Sequence, residues 1–183
     1  ICTQAGPEIG VAATKTFMTQ VATLALLSLE LSKISGVLNS NEIQTLKRSL
    51  LDTPRLIESV IENLEGTAIR AAEKYYNRPS FLFLGRGIST ATAMEGALKL
   101  KEIAYTHAEG YPAGESKHGP ISLVEPGFPV VFIAPPDQTY DRLIGNVMEM
   151  KAREASVIAV VAQGDQNIGR LSKRVSSITP HFF

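Results

Sequence analysis

Three short stretches concentrate the residue types that move protons or hold anions. The densest runs His107-Ala-Glu-Gly-Tyr-Pro-Ala-Gly-Glu-Ser-Lys-His-Gly-Pro120 and carries two of the chain's three histidines with Glu109 and Glu115. It holds few core residues, so packing alone does not account for it. Imidazole is the side chain that ordinarily titrates near neutral pH. His118, set just before Gly119-Pro120, would be aimed by a stiff backbone. His107, Glu109, Glu115 and His118 are all metal-ligand types, but their spacing matches no familiar zinc pattern, and no metal is expected. His107 is expected in a structural role.

The second stretch is Glu95-Gly-Ala-Leu-Lys-Leu-Lys-Glu102. On a helix, Glu95, Lys99 and Glu102 fall at i, i+4 and i+7 and share a face, whereas Leu98 and Lys101 project elsewhere. A solvated stripe with one ion pair is the plain reading. The chemical reading is a carboxylate poised by an ammonium beside a bound substrate. Moving a proton between adjacent sugar carbons needs a carboxylate that accepts and returns it, and a cation to hold the enediolate charge. The third stretch, Leu84-Gly85-Arg86-Gly87-Ile88-Ser89-Thr90, reads as a strand-loop-helix turn, whose backbone N–H groups suit an anion. It is not a P-loop and lacks the third glycine of a dinucleotide fingerprint. A tight turn that simply needs glycine explains it equally well.

These stretches need elements to hold them. After a loop containing Gly6, Pro7 and Gly10, with Thr14 as helix cap, apolar residues from Phe17 to Ile34 recur at helical spacing. Added alanines and leucines widen the stripe, so this helix is expected to be buried on most sides, ending at Gly36. Helices are expected at Asn41–Asp52, Pro54–Leu64 and Thr67–Tyr76, with Thr53 capping the second. The runs Ser80–Leu84, Phe128–Ala134 and Val157–Ala162 are continuously apolar and alternate with helical patterns through Tyr105 and from Tyr140 to Arg153. Such alternation indicates a three-layer α/β domain with a parallel sheet, from about Asn77 onward. Pro180-His181-Phe182-Phe183 follow a further strand-like segment, and both ends read as cuts in a longer protein.

Composition narrows the partners. With 183 residues, 44% hydrophobic and 20% charged, the chain can build a real core. Its formal net charge of zero favours neither nucleic acid nor an acidic membrane surface. One cysteine, Cys2, excludes an internal disulfide and fits a reducing, cytoplasmic setting. The apolar stretch Val21–Leu31 is interrupted by Thr23, Ser28 and Glu30 and falls short of the ~20 residues that span a bilayer. No membrane span is therefore expected.

Taken in order, Ala5–Lys15, Leu84–Gly87, Glu95–Glu102 and Ala113–Pro120 resemble the isomerase domain of the glutamine–fructose-6-phosphate aminotransferases, over essentially the whole chain. Ser116 departs from the leucine expected there. The resemblance implies two sugar-isomerase (SIS) subdomains, each a flavodoxin-like parallel sheet flanked by helices. Residues 1–76 would be the helical end of the first and the connector, and 77–183 the second, truncated at its C-terminus. It implies Glu102 as the base moving a proton between C1 and C2, Lys99 as its cationic support, and His118 as the ring opener reaching in from the adjacent subunit of a homodimer. Backbone groups at Val11 and Ala12 would meet the sugar. The substrate would be fructose 6-phosphate, aminated to glucosamine 6-phosphate with ammonia from a glutaminase domain and without a cofactor. The phosphate-binding loops would lie upstream of Ile1 and a Schiff-base lysine beyond Phe183, so the fragment alone is expected to be inactive. A SIS regulator that binds a phosphosugar without turnover, and a fructosamine-phosphate deglycase, are the alternatives.

Overall fold

The computed structural model describes residues 1–170 and 176–178. They fall into two compact units, Ile1–Glu58 and Ser59–Phe183. The first holds helix α1 (Lys15–Ser35) and the N-terminal part of helix α2 (Ser40–Tyr75). Thr14 occupies the N-cap of α1 but makes no side-chain cap bond. Glu8 does so instead, its Oε2 accepting from the Thr16 N–H at 3.2 Å and the Thr16 hydroxyl at 2.6 Å. That bond to the Thr16 hydroxyl is the main reason the Glu8 carboxyl titrates below its usual range. At the other end Gly36, at φ 68, closes the helix as its N–H and that of Val37 reach back to Lys33 and Ser32.

Two expectations about this region fail. The helix α1 is not enclosed: Leu29 alone is buried, and Leu24, Leu31 and Ile34 are more than half exposed. One neighbouring helix can cover only one side of another, and here α2 supplies that side, joined by the Lys47–Glu30 ion pair at 2.7 Å. The helix itself runs over Lys15–Ser35, as its spacing predicts, polar residues included. By length and composition it is long and apolar enough to cross a membrane. The second correction is continuity. The three short helices are one, with Pro54 inside it. A proline within a helix removes one backbone donor and crowds the preceding turn. The amphipathic phase runs on through it, and Thr53 bonds back to the Ser49 carbonyl at 3.1 Å instead of capping a new start.

The second unit is the three-layer α/β domain. Strands β1 (Ser80–Gly85), β2 (His107–Pro112), β3 (Pro129–Ala134), β4 (Ser156–Val161) and β5 (Ser176–Ile178) form one parallel sheet in the order β2-β1-β3-β4-β5. Helix α3 (Ser89–Ala104) connects β1 to β2, and α4 (Tyr140–Ala152) connects β3 to β4. The continuously apolar strands are filled from both sides. Leu82, Leu84, Val130 and Phe132 join Leu143, Val147 and Met150 of α4 in one core. Their neighbours Phe81, Val131 and Ile158 join Tyr75 and Ala97 in a second core with the end of α2 and α3. Because side chains alternate along a strand, these two cores lie on opposite faces.

His107–Pro112, where the sequence predicts no strand, is the edge strand β2, paired with β1 along its length. Only Ala108 of it is fully buried, which is why no apolar run announces it. Gly110 lets α3 lie against this strand. A Cβ there would stand 2.5 Å from the Met94 Cα. Substituting Gly110→Ala should therefore lower the unfolding free energy by about 1–3 kcal/mol, read as a reduced midpoint in urea at constant slope.

Candidate functional site

Helix α3 starts where β1 ends. A Cβ at Gly85 would stand 2.1 Å from the Ser89 carbonyl oxygen, so only glycine allows the chain to turn this sharply into the helix. The Thr90 hydroxyl then ties the first turn back to the Gly85 carbonyl at 3.1 Å. Ala93 and Ala97 are buried and Gly96 sits against Phe83, which fixes the rotation of α3 on the sheet.

That rotation brings Glu95, Lys99 and Glu102 together on the outward side. The Lys99 ammonium donates to Glu102 Oε2 at 2.8 Å and stands 3.2 Å from Glu95 Oε1. The three side chains retain 23%, 23% and 28% of their exposure, so this is a half-sheltered cluster and not a solvated stripe. The hydrogen bond to Glu102 is the main influence raising the Lys99 pKa above the ordinary lysine value, with partial burial opposing it. The ammonium is thus held in its charged form between two carboxylates. Lys101, predicted to project elsewhere, is exposed and joins none of these pairs.

His118 ends a six-residue 3₁₀ segment, Ala113–His118, that follows β2. The segment is anchored by Ala113 and Ser116, both fully buried, and the Ser116 hydroxyl donates to the Ala113 carbonyl at 2.7 Å. His118 itself is exposed. Ala113 belongs to the α4-side core, together with Ile121 and Val124 just downstream. The Glu95–Lys99–Glu102 cluster belongs to the helix on the other face. Within one chain the sheet therefore stands between α3 and the segment that carries His118.

The other nominated residues go elsewhere. His107 bonds Ser80 through Nδ1 at 3.1 Å and stands 3.6 Å from Glu109. Glu109 accepts a 2.8 Å bond from the Tyr111 hydroxyl, which raises the Tyr111 pKa. Among the described residues no three His, Cys, Asp or Glu side chains gather closely enough to hold a metal ion. Val11 is almost fully exposed in the bend before α1, beside the half-buried Ala12, in the first unit. Arg86 has a partner that its own turn does not reveal. Its guanidinium donates to Asn146 Oδ1 at 3.0 Å, a partner sixty residues away, which no local spacing signals.

Comparison with known proteins agrees with this architecture. The family model for the SIS domain matches residues 74–180. A glutamine–fructose-6-phosphate aminotransferase (isomerizing) of Thermus thermophilus is 47% identical over 171 residues, covering 93% of this chain and 28% of the relative. The enzyme of the same name from Pyrobaculum aerophilum is 52% identical over 159 residues, covering 87% of this chain and 26% of its own. The chain thus spans little more than a quarter of the curated relatives it matches. The solved C-terminal domain of glucosamine-fructose-6-phosphate aminotransferase from Francisella tularensis superposes with a TM-score of 0.90 at 35% identity, over 97% of this chain and 49% of that one.

Proposed function

Since the chain belongs to the SIS domain family, we propose that it is part of the isomerase half of a glutamine–fructose-6-phosphate aminotransferase, with residues 1–76 closing one SIS subdomain and 77–183 forming most of the next. The observation that carries this reading is the ammonium held between two half-sheltered carboxylates on α3.

Glu102 takes a proton from C1 of the aminated open-chain ketose. The electron pair spreads toward C2 as an enolamine, and the same carboxyl returns the proton to C2. One fructose 6-phosphate and one ammonia give one glucosamine 6-phosphate and one water. Lys99 supports the negative charge that develops along the way. The ring must open first, and His118 serves as the acid–base group for that step. Because the sheet separates α3 from the segment of His118 in a single chain, the reading requires a homodimer in which the histidine comes from a second copy. Backbone groups at Val11 and Ala12 meet the sugar. The ammonia comes from a glutaminase domain of the full-length, cytoplasmic protein, and no cofactor takes part. The exposed apolar surface of α1 is then covered by protein and not by lipid.

The test is product analysis on the full-length protein supplied with fructose 6-phosphate and glutamine. Glucosamine 6-phosphate and glutamate should appear in equal amounts. Binding of fructose 6-phosphate without turnover would favour a regulator, and hydrolysis of fructosamine 6-phosphate would favour a deglycase.

A further inference from the structure

The segment Ala113–His118 poses a mechanical problem. Six residues of 3₁₀ helix are longer than such helices usually run, because their hydrogen bonds are poorly aligned. The residue at its end is exposed and must still be aimed. Ala113 and Ser116 seat the segment in the core, and a side chain outside it can fix its orientation further.

Arg86 is placed to do so. It follows β1 directly, on a turn fixed by Gly85 and by the Thr90 bond to the Gly85 carbonyl. Its guanidinium lies close against Gly114, the second residue of the segment. A Cβ added there would stand 3.0 Å from Nη1, 3.5 Å from Cζ and 3.6 Å from Nη2. The same Nη1 donates to Asn146 Oδ1 at 3.0 Å, and the Asn146 amide donates in turn to Glu149 Oε2 at 3.0 Å. Asn146 is only 6% exposed, so leaving it without its partner in that core is costly. The guanidinium is thereby pinned to α4 on one side while it abuts the segment on the other. Gly114 is glycine for room, since its backbone is not in the left-handed region.

We propose that Arg86 is a positioning residue for ring opening: clamped between Asn146 and Gly114, it sets where the Ala113–His118 segment, and hence His118, can sit. The inference rests on the reading of His118 given above. Lysine cannot replace arginine here, because an ammonium on a flexible stem does not lie flat along a backbone while reaching a fixed acceptor. Placement errors near 1 Å are enough to cost on the order of 100-fold in rate.

The experiment uses the full-length protein with two substrates, fructose 6-phosphate and its 5-O-methyl ether. The ether cannot close a ring, because O5 is blocked and O6 carries phosphate. Arg86→Ala, Arg86→Lys, Gly114→Ala and His118→Ala are compared in kcat and KM on both. Each should lose about 10- to 100-fold in kcat on fructose 6-phosphate, with KM little changed and the open-chain ether spared. A crystal structure of Arg86→Ala, or of Gly114→Ala if the first variant does not fold, should show Ala113–His118 displaced. The proposal is overturned if Arg86→Ala loses both substrates equally, if Arg86→Lys restores full activity, or if the segment is unmoved. Should His118→Ala itself fail to separate the two substrates, the role of His118 falls, and the displacement alone then decides whether Arg86 is the clamp.

Discussion

Replacing Glu102 with glutamine in the full-length protein should reduce glucosamine 6-phosphate formation by about 10²- to 10⁴-fold, the usual range for loss of a positioned base. The substitution keeps size and shape. Lys99, 2.8 Å from Oε2 in the native chain, can still donate to an amide oxygen at that place. The local geometry should therefore survive, and fructose 6-phosphate should bind within a few-fold of its native affinity. An amide cannot take a proton from carbon and give it back, so the loss should fall on kcat with KM nearly constant. Glutamine hydrolysis provides a second readout, since it does not pass through this carboxylate. The informative companion is Glu95→Gln. Glu95 stands 3.2 Å from the same ammonium, and if it were the base the two variants would exchange their effects. Retention of activity within tenfold in Glu102→Gln would remove Glu102 from the chemistry.

The parts of the fold that could be read from the sequence are those whose signal is local. Ser80–Leu84, Phe128–Ala134 and Val157–Ala162 announce buried parallel strands because both faces must be apolar, and each lands within a residue or so of its observed strand. The cluster on α3 was legible for the same reason. A helix of fixed pitch brings Glu95, Lys99 and Glu102 together whatever surrounds them. Strand β2 was not legible. An edge strand with one fully buried side chain leaves no alternating or continuous pattern, and its Gly110 is explained only by Met94 on another element. By sequence Pro54 suits a helix start, because proline fits a first turn. In the longer helix α2 the flanking amphipathic segments outweigh the lost hydrogen bond.

Arg86 belongs to a different class of miss. Gly-Arg-Gly invites attention to its glycines as a possible anion loop, yet the arginine side chain is engaged with Asn146 on α4. Pairings across sixty residues depend on the sheet order, in which β1 lies between β2 and β3. The same order puts α3 and α4 on opposite faces and so separates Glu102 from the segment of His118. The proposed sharing of one reaction by these two residues is in keeping with that separation. The separation follows from the sheet order and leaves no trace in residue spacing.

Removing the ammonium is the second large effect expected. In Lys99→Met the stem packing is kept and the charge is lost, leaving Glu95 and Glu102 facing each other without the cation between them. Losing one preorganised charge of this kind typically lowers kcat by about 10²- to 10³-fold, and binding of the ground-state sugar should change far less. Stability should change little, because a half-sheltered pair that still meets water on its outward side contributes modestly, so a melting curve near native separates a catalytic loss from a folding one. The pH dependence gives the sign. Lys99 has its pKa raised in the folded protein, chiefly by Glu102. Whatever the pair contributes is complete below the ordinary lysine value of about 10.4 and is lost only as pH rises through the higher folded value. Across the neutral range the native enzyme should therefore show no alkaline limb from this group. A Lys99→Met protein that keeps its melting curve and native kcat would mean that the ammonium on α3 has no part in the reaction.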